Sequence, residues 1–78
     1  MEFQSEAQIK AHLIQTDDTF RSLNERHSEY DRMISVIESK EHVTPDDEIE
    51  EHRLKKLKLQ AKDQMRELMN RYAAHQNG

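Results

Sequence analysis

Two runs of apolar residues at helical spacing, separated by one Thr-Pro-Asp-Asp segment, constrain the fold of this chain more than any other feature. The first apolar stripe steps by three or four residues, the heptad spacing of a helix packed along a partner, and comprises Phe20, Leu23, His27, Tyr30, Ile34 and Ile37. The second apolar stripe has the spacing of a helix buried on one side and comprises Leu54, Leu57, Ala61, Met65, Leu68 and Tyr72. Together they predict two long helices that pack against each other.

The strongest local signal is the start of the second long helix. Thr44 suits the N-cap, Pro45 suits the first helical position, and residues 46–48 place three acidic side chains where they interact favourably with the helix dipole. Because the interior contains one proline and no glycine, nothing downstream interrupts the helix. We predict that it covers about residues 45–74, and that residues 75–78 form a disordered tail.

Two further helices are expected before this one. Three consecutive residues are competent N-caps for the first long helix, about 18–39, and the sequence does not choose among them: Thr16, Asp17 and Asp18. A short, weak helix is predicted within residues 1–15, between Phe3 and Ile14, since Ile9 and Leu13 lie one turn apart.

The short connection between the long helices makes them antiparallel neighbours. Phe20 would then lie near the far end of the second helix and Ile37 near its start. The fold class predicted is all-α: a single domain over residues 1–78, built as an antiparallel two-helix hairpin with coiled-coil-like packing and a short N-terminal helix.

The composition bounds stability and location. Hydrophobic residues make up 33% and charged residues 36% of the 78 residues, and there is no cysteine. The folding stability of so small and polar a chain is marginal for a monomer. Because disulfides are absent, oligomerisation is the expected source of additional stability. We therefore expect a homo-oligomer, with a dimer forming a four-helix bundle as the simplest closed arrangement. The lack of cysteine fits the cytoplasm, and we expect neither a signal peptide nor a membrane span.

Apolar residues outside the stripes predict a second contact surface. Met33 and Val36 widen the apolar arc of the first long helix beyond what one partner covers. Leu59 lies roughly 160° around the second helix from the centre of its stripe, at 100° per residue. A lone exposed leucine needs no explanation. Combined with the wide arc of the first helix, however, it favours a second interface, with Met33, Val36 and Leu59 as its apolar anchors.

A basic stripe on the second helix admits two interpretations. Residues 53–71 carry seven basic and two acidic side chains, among them Lys55, Lys62 and Arg66. These could neutralise phosphates of a nucleic acid, but the net charge of −4, the pI of about 5.7 and the absence of interleaved aromatics disfavour this. We favour a solvated face that guides a partner electrostatically. Its lysines would pair with an acidic partner or with three acidic residues of the first helix: Glu25, Glu29 and Glu38.

Few residues are placed for catalysis or metal binding. Glu48 with His52, and His27 with Asp31, share a helix face, but neither pair approaches the four ligands of a structural zinc site. His27 is expected to be a partly buried histidine hydrogen-bonded across the interface, whose protonation near pH 6 could weaken packing. With no cysteine nucleophile and no phosphate loop, we predict no catalytic, metal or cofactor site. Asp63, beside a lysine, is explained by an ion pair.

The two stripes and their flanks resemble a known family. The segments that carry the resemblance are Asp17-Asp18-Thr19-Phe20-Arg21-Ser22-Leu23, then His27, Tyr30-Asp31 and Ile34, and finally the run from Leu54 through Lys62-Asp63 to Met65, Leu68 and Met69. They resemble the YdcH-like family of small bacterial helical proteins over about residues 9–70. The sequence departs at Ala61, where a larger aliphatic residue is more usual, and at Tyr30, where leucine is usual. The resemblance implies a cytoplasmic helical hairpin without an established activity.

The sequence thus predicts a non-enzymatic interaction or assembly module. It would act by self-association or by offering an amphipathic helical surface to another helical protein. The alternative is a nucleic-acid-associated accessory protein that uses the basic stripe.

Overall fold

A computed structural model describes residues 5–77, with side chains through residue 75. This part of the chain forms three α-helices and no strand: α1 at Glu6–Thr16, α2 at Asp18–Glu38 and α3 at Pro45–Asn77. The all-α prediction is confirmed. The extents of the molecule are 53 × 21 × 16 Å, so it is a rod whose long dimension follows α3.

The helix bounds differ from the predicted ones at both termini. α3 continues to Asn77, beyond the predicted end near residue 74, because no helix breaker precedes Gly78. The disordered tail at residues 75–78 stays a prediction. Gly78 itself lies outside the described residues. At the other end α1 begins at Glu6, and the predicted helical residues before Ser5 also fall outside the described part.

A capping box, which apolar periodicity does not reveal, starts α1. The Ser5 hydroxyl accepts from the backbone N of Gln8 at 3.2 Å, and the Gln8 side chain accepts from the backbone N of Ser5 at 2.9 Å. Both bonds satisfy amides that lack an intrahelical partner. The Ser-x-x-Gln spacing in the sequence was the signal for this helix start.

One residue separates α1 from α2. Asp17 is extended, with φ −123° and ψ 110°, and its Oδ1 accepts from the backbone N of Phe20 at 3.0 Å, so Asp17 is the N-cap among the three candidates. Arg21 secures the corner from the other side, because its Nε donates to the Ile14 carbonyl at 2.9 Å. The break redirects the chain while both helix ends stay hydrogen-bonded.

A reciprocal hydrogen-bond pair begins α3, at the predicted position. The Thr44 hydroxyl accepts from the backbone N of Asp47, and the Asp47 carboxylate accepts from the backbone N of Thr44, both at 3.1 Å. Lys40 Nζ adds a 2.8 Å bond to the same carboxylate. The bond from Lys40, followed by those from Thr44, lowers the pKa of Asp47. The connection over residues 39–44 is thus tied to the first turn of α3.

The larger of two core clusters, the three-helix cluster, joins all three helices. Its buried members are Ile9, Leu13, Phe20, Leu23 and Met65. Phe20 is fully buried there. The rings of His12 in α1 and Tyr72 in α3 lie 5.0 Å apart, centroid to centroid, beside this cluster. The N-terminal helix, expected to be weak, therefore contributes two core residues.

The smaller two-helix cluster lies toward the connection. It contains Ile34, Ile37 and Leu54, with Tyr30 packed against it. Phe20, early in α2, shares a cluster with Met65, whereas Ile37, late in α2, shares one with Leu54. Contacts thus run in opposite order along the two helices. Ala61 is buried as well.

Two leucines of α3 provide a matched test of this core. Leu54 is 1% exposed and Leu59 57% exposed, so we expect Leu54→Ala to lower the free energy of unfolding by about 2–5 kcal/mol and Leu59→Ala by less than about 0.5 kcal/mol. Urea unfolding followed by circular dichroism would measure both. Equal losses would contradict the assignment of Leu54 to the core.

Candidate interaction surfaces

An apolar groove lies on one flank of the α2–α3 pair. It is lined by Met33, Val36 and Ile37 of α2 and by Leu54 of α3, encloses about 350 Å³, and has Arg32 and Glu50 among its lining residues. Met33 is 37% exposed and Val36 58% exposed. We call this the apolar groove. It brings together two of the three apolar anchors predicted from the sequence.

The third predicted anchor lies elsewhere. Leu59 is exposed but does not line the apolar groove. It follows Leu54 by five residues, which places it roughly 140° around the α3 axis from the groove. The three residues predicted to form one second contact surface therefore lie on two different sides of the molecule.

Two further exposed apolar side chains lie outside both apolar stripes. Ile49 is 69% exposed in the first turns of α3, and Val43 is exposed in the connection. Ile49 precedes Leu54 by five residues, outside the three- and four-residue spacing of the second apolar stripe. Ile49 and Val43 both lie toward the same end of the rod as the apolar groove.

Four basic residues of α3 lie beside α1 or α2 and fall into two groups, of which the first is paired. Lys55 Nζ lies 3.5 Å from Glu38 and 3.9 Å from Glu51, and Lys58 Nζ is hydrogen-bonded to Asp31. The bond and the charge of Lys58 lower the pKa of Asp31. Of the three acidic partners expected from the sequence, only Glu38 fulfils that role.

The other two expected acidic partners behave differently. Glu29 pairs with Arg32 on its own helix at 3.4 Å. Glu25 makes no ion pair with α3 within the described range, and lies beside Arg26 and Glu29 along the outer side of α2. The ion pair predicted for Asp63 is likewise not present among the described residues. The expectation placed too many acidic side chains on the shared flank, because it lacked the register of α2 against α3.

The second group of basic residues lines a groove beside α1. Lys62 and Arg66 of α3 meet Lys10 of α1 and His27 of α2 around a cavity of about 100 Å³. We call it the cationic groove. Among the described residues no carboxylate lies within salt-bridge distance of these three basic side chains. Lys10 was not expected here, since its position depends on how α1 packs.

His27 sits in the cationic groove and is half-buried. Burial lowers its pKa, as do the charges of Lys58, Lys10 and Lys62, while Asp31 acts in the opposite direction. The predicted hydrogen bond across the interface is wrong for the part of the chain that the structure describes. Among the described residues the imidazole makes no hydrogen bond, and Lys10, Lys58 and Lys62 contribute most of the charge around it because α1 brings Lys10 to the same place.

Neither histidine–carboxylate pair develops into a metal site. Across residues 5–75 there is no group of three or more histidine, aspartate or glutamate side chains placed to hold a metal ion. No helix in the described range is both long enough and apolar enough to span a bilayer.

With this geometry in place, comparison with known proteins identifies the family. The profile of a family described as "Protein of unknown function (DUF465)" matches residues 20–73, which span both stripes and the connection. The chain belongs to the DUF465 family. The resemblance to the YdcH-like proteins is thereby confirmed, because these form a DUF465 family. No curated protein and no solved structure is significantly similar to the chain.

The surroundings of His27 predict that the folding stability of this DUF465 protein depends on pH. Because the pKa of His27 is lower in the folded than in the unfolded chain, where it is about 6.5, the unfolded state binds the proton more tightly. Stability should fall as pH decreases from about 6.5 toward the folded pKa.

We expect His27→Leu to remove this part of the pH dependence between pH 5 and 8, as measured by thermal unfolding. His42→Leu, in the exposed connection, serves as the control and should keep the wild-type profile. If the His27 variant and the wild type lose stability equally, the imidazole is not responsible.

Proposed function

We propose that this protein is a non-enzymatic assembly module that associates with a second copy of itself through the apolar groove. In this proposal α2 and α3 form an antiparallel helical hairpin with coiled-coil-like packing, and two hairpins close into a bundle. The observation that carries the proposal is the groove itself. Exposed Met33 and Val36 adjoin buried Ile37 and Leu54, so covering the groove extends the two-helix cluster without rearranging it.

Charge at the groove supports a second copy as the occupant. Arg32 and Glu50, from different helices, are both lining residues. A two-fold axis brings the same patch of two copies together, so each arginine can meet the glutamate of the other copy. Glu50 already accepts from Arg53, and Arg32 lies 3.4 Å from Glu29, so these charges remain compensated in the monomer. Self-complementarity of this kind favours specificity over raw affinity.

The composition supports the same conclusion. A 78-residue chain with only nine buried hydrophobic residues among those described has a small core. Covering Met33 and Val36 in a dimer would add apolar burial at about 25 cal/mol per Å². Another helical protein could lay an amphipathic helix along the same groove. Such a partner would compete with the second copy for it.

Nucleic-acid binding, the alternative function, receives less support. Lys55 and Lys58 already pair with carboxylates of α2, so two cations of the basic stripe are not free for phosphates. No aromatic side chain interleaves with the stripe as a stacking platform. The proposal places the protein in the cytoplasm, in keeping with a chain that uses no cysteine.

Two exposed residues of similar accessibility allow a matched test. Val36 is 58% and Leu59 57% exposed, but only Val36 lines the apolar groove. We expect Val36→Glu to weaken dimerisation at least about tenfold, or about 1.4 kcal/mol, because it buries an unpaired charge. Leu59→Glu should leave it unchanged. Light scattering after size exclusion, over a wide concentration range, measures the dissociation constant.

Circular dichroism of the same samples shows that each variant remains helical. A monomeric wild type at every concentration would refute self-assembly. If Leu59→Glu dissociates the oligomer and Val36→Glu does not, the interface lies on the flank that carries Leu59, and the apolar groove is not the interface.

A further inference from the structure

The cationic groove collects charge from three helices. Lys10 comes from α1, Lys62 and Arg66 from α3, and His27 from α2, with Met65 on the apolar wall. Lys10 and Lys62 are more than fifty residues apart in sequence, so only the packing of α1 onto α3 brings them together. Glu6 is the one carboxylate that lines the groove. The groove therefore carries a positive excess in a chain whose net charge is −4.

This charge is not neutralised by the protein. Lys58 and Lys55, one and two turns before Lys62 on α3, are paired with carboxylates. Lys10, Lys62 and Arg66 have no ion pair or side-chain hydrogen bond among the described residues. Like charges held along one groove raise the free energy of the folded state, and an anion would offset that cost.

The pKa of His27 reflects the same cluster of cations. Burial lowers the pKa of His27 most, and the charges of three lysines lower it further: Lys58, Lys10 and Lys62. Asp31, on the same helix as His27, acts in the opposite direction. The half-buried imidazole therefore experiences a net positive surrounding, from α1 and α3 together. An anion seated in the groove would raise the pKa of His27.

We propose that the cationic groove is a binding site for a phosphoryl group. The guanidinium of Arg66 offers the planar donor fork that binds phosphate through two hydrogen bonds, and Lys10 and Lys62 act as mobile point charges. His27, when protonated, supplies a further donor. The cavity of about 100 Å³ suits one compact anion rather than a polymer backbone.

A neighbouring groove bears on the source of the phosphoryl group. It encloses about 330 Å³, shares Glu6, Arg66 and Met69 with the cationic groove, and is also lined by Ile9, Asn70 and Ala73. Free phosphate would occupy the cationic groove alone. A phosphate monoester could place its organic part against the apolar wall of the neighbouring groove. Inorganic phosphate and phenyl phosphate therefore serve as the two probes.

The test is a titration of the full chain at pH 7, followed by NMR of the His27 imidazole, with chloride at equal ionic strength as the reference. His27→Gln identifies the resonances among those of the five histidines. We expect a saturable shift with phosphate that chloride does not reproduce, and a higher His27 pKa in the saturated protein. Tighter binding of phenyl phosphate would identify a monoester site, and equal or weaker binding a site for the free anion.

Matched variants separate a site from general electrostatics. Lys62→Gln and Arg66→Gln should each weaken binding about tenfold, since each removes a charge-assisted hydrogen bond. Lys56→Gln removes an identical charge roughly 120° around α3 from Lys62 and should leave binding unchanged. Glu6→Gln should strengthen it, because it removes the groove's carboxylate. Circular dichroism verifies the fold of each variant.

Several outcomes would overturn the proposal. A linear, unsaturated response to phosphate, an equal response to chloride, or an equal loss in Lys56→Gln and Lys62→Gln would each reduce the groove to a solvated basic surface. Because the apolar groove shares no lining residue with this one, failure here leaves the assembly proposal standing.

Discussion

The structure depends on the apolar face of α3, which two shorter helices cover. α3 has 33 residues against 21 in α2 and 11 in α1. An isolated helix of this polarity gains little in water, because helical stability in proteins comes mainly from packing of the apolar face. The break at Asp17 allows α1 to fold back against α2 and α3. Ile9 and Leu13 of α1 then pack beside Phe20 and Met65. The hydrogen bonds of Asp17 and Arg21 therefore hold α1 in the position that the core requires, in addition to ending one helix and starting the next.

The packing of α1 also decides the electrostatics of the rod. Toward the connection, Lys55 and Lys58 reach across to acidic side chains of α2. Toward the other end, α1 carries Lys10 to the position where a carboxylate would be needed to neutralise Lys62 and Arg66. Exposed ion pairs contribute only about 0–1 kcal/mol each, so the fold tolerates this asymmetry at little cost. The consequence is a molecule whose surface charge differs between its two ends although its net charge is modest.

Most of the fold followed from periodicity, whereas the sites depended on information that periodicity lacks. The stripes identified Phe20 and Leu54 as core residues because helical spacing puts each on the apolar face of its own helix. The N-cap of α2 was ambiguous, because three adjacent residues have the required chemistry, and only the backbone geometry at Asp17 selects one. Leu59 was grouped with Val36 because a helical wheel gives the angle of a residue on its own helix but not the flank on which a neighbouring helix lies. Lys10 was missed for the same reason.

The apolar and cationic grooves are geometrically independent, and this bears on how the molecule can work. Lys62 follows Glu50 by twelve residues, which separates them by roughly 18 Å along α3 and roughly 120° around it. On α2, His27 and Met33 are likewise roughly 120° apart. A second copy in the apolar groove would therefore leave the cationic groove open to solvent in each copy. Coupling between ligand binding in the two grooves would be transmitted through the packing of α2 on α3. Ile34 and Leu54 are buried in that packing, so a ligand in one groove has little scope to change the other.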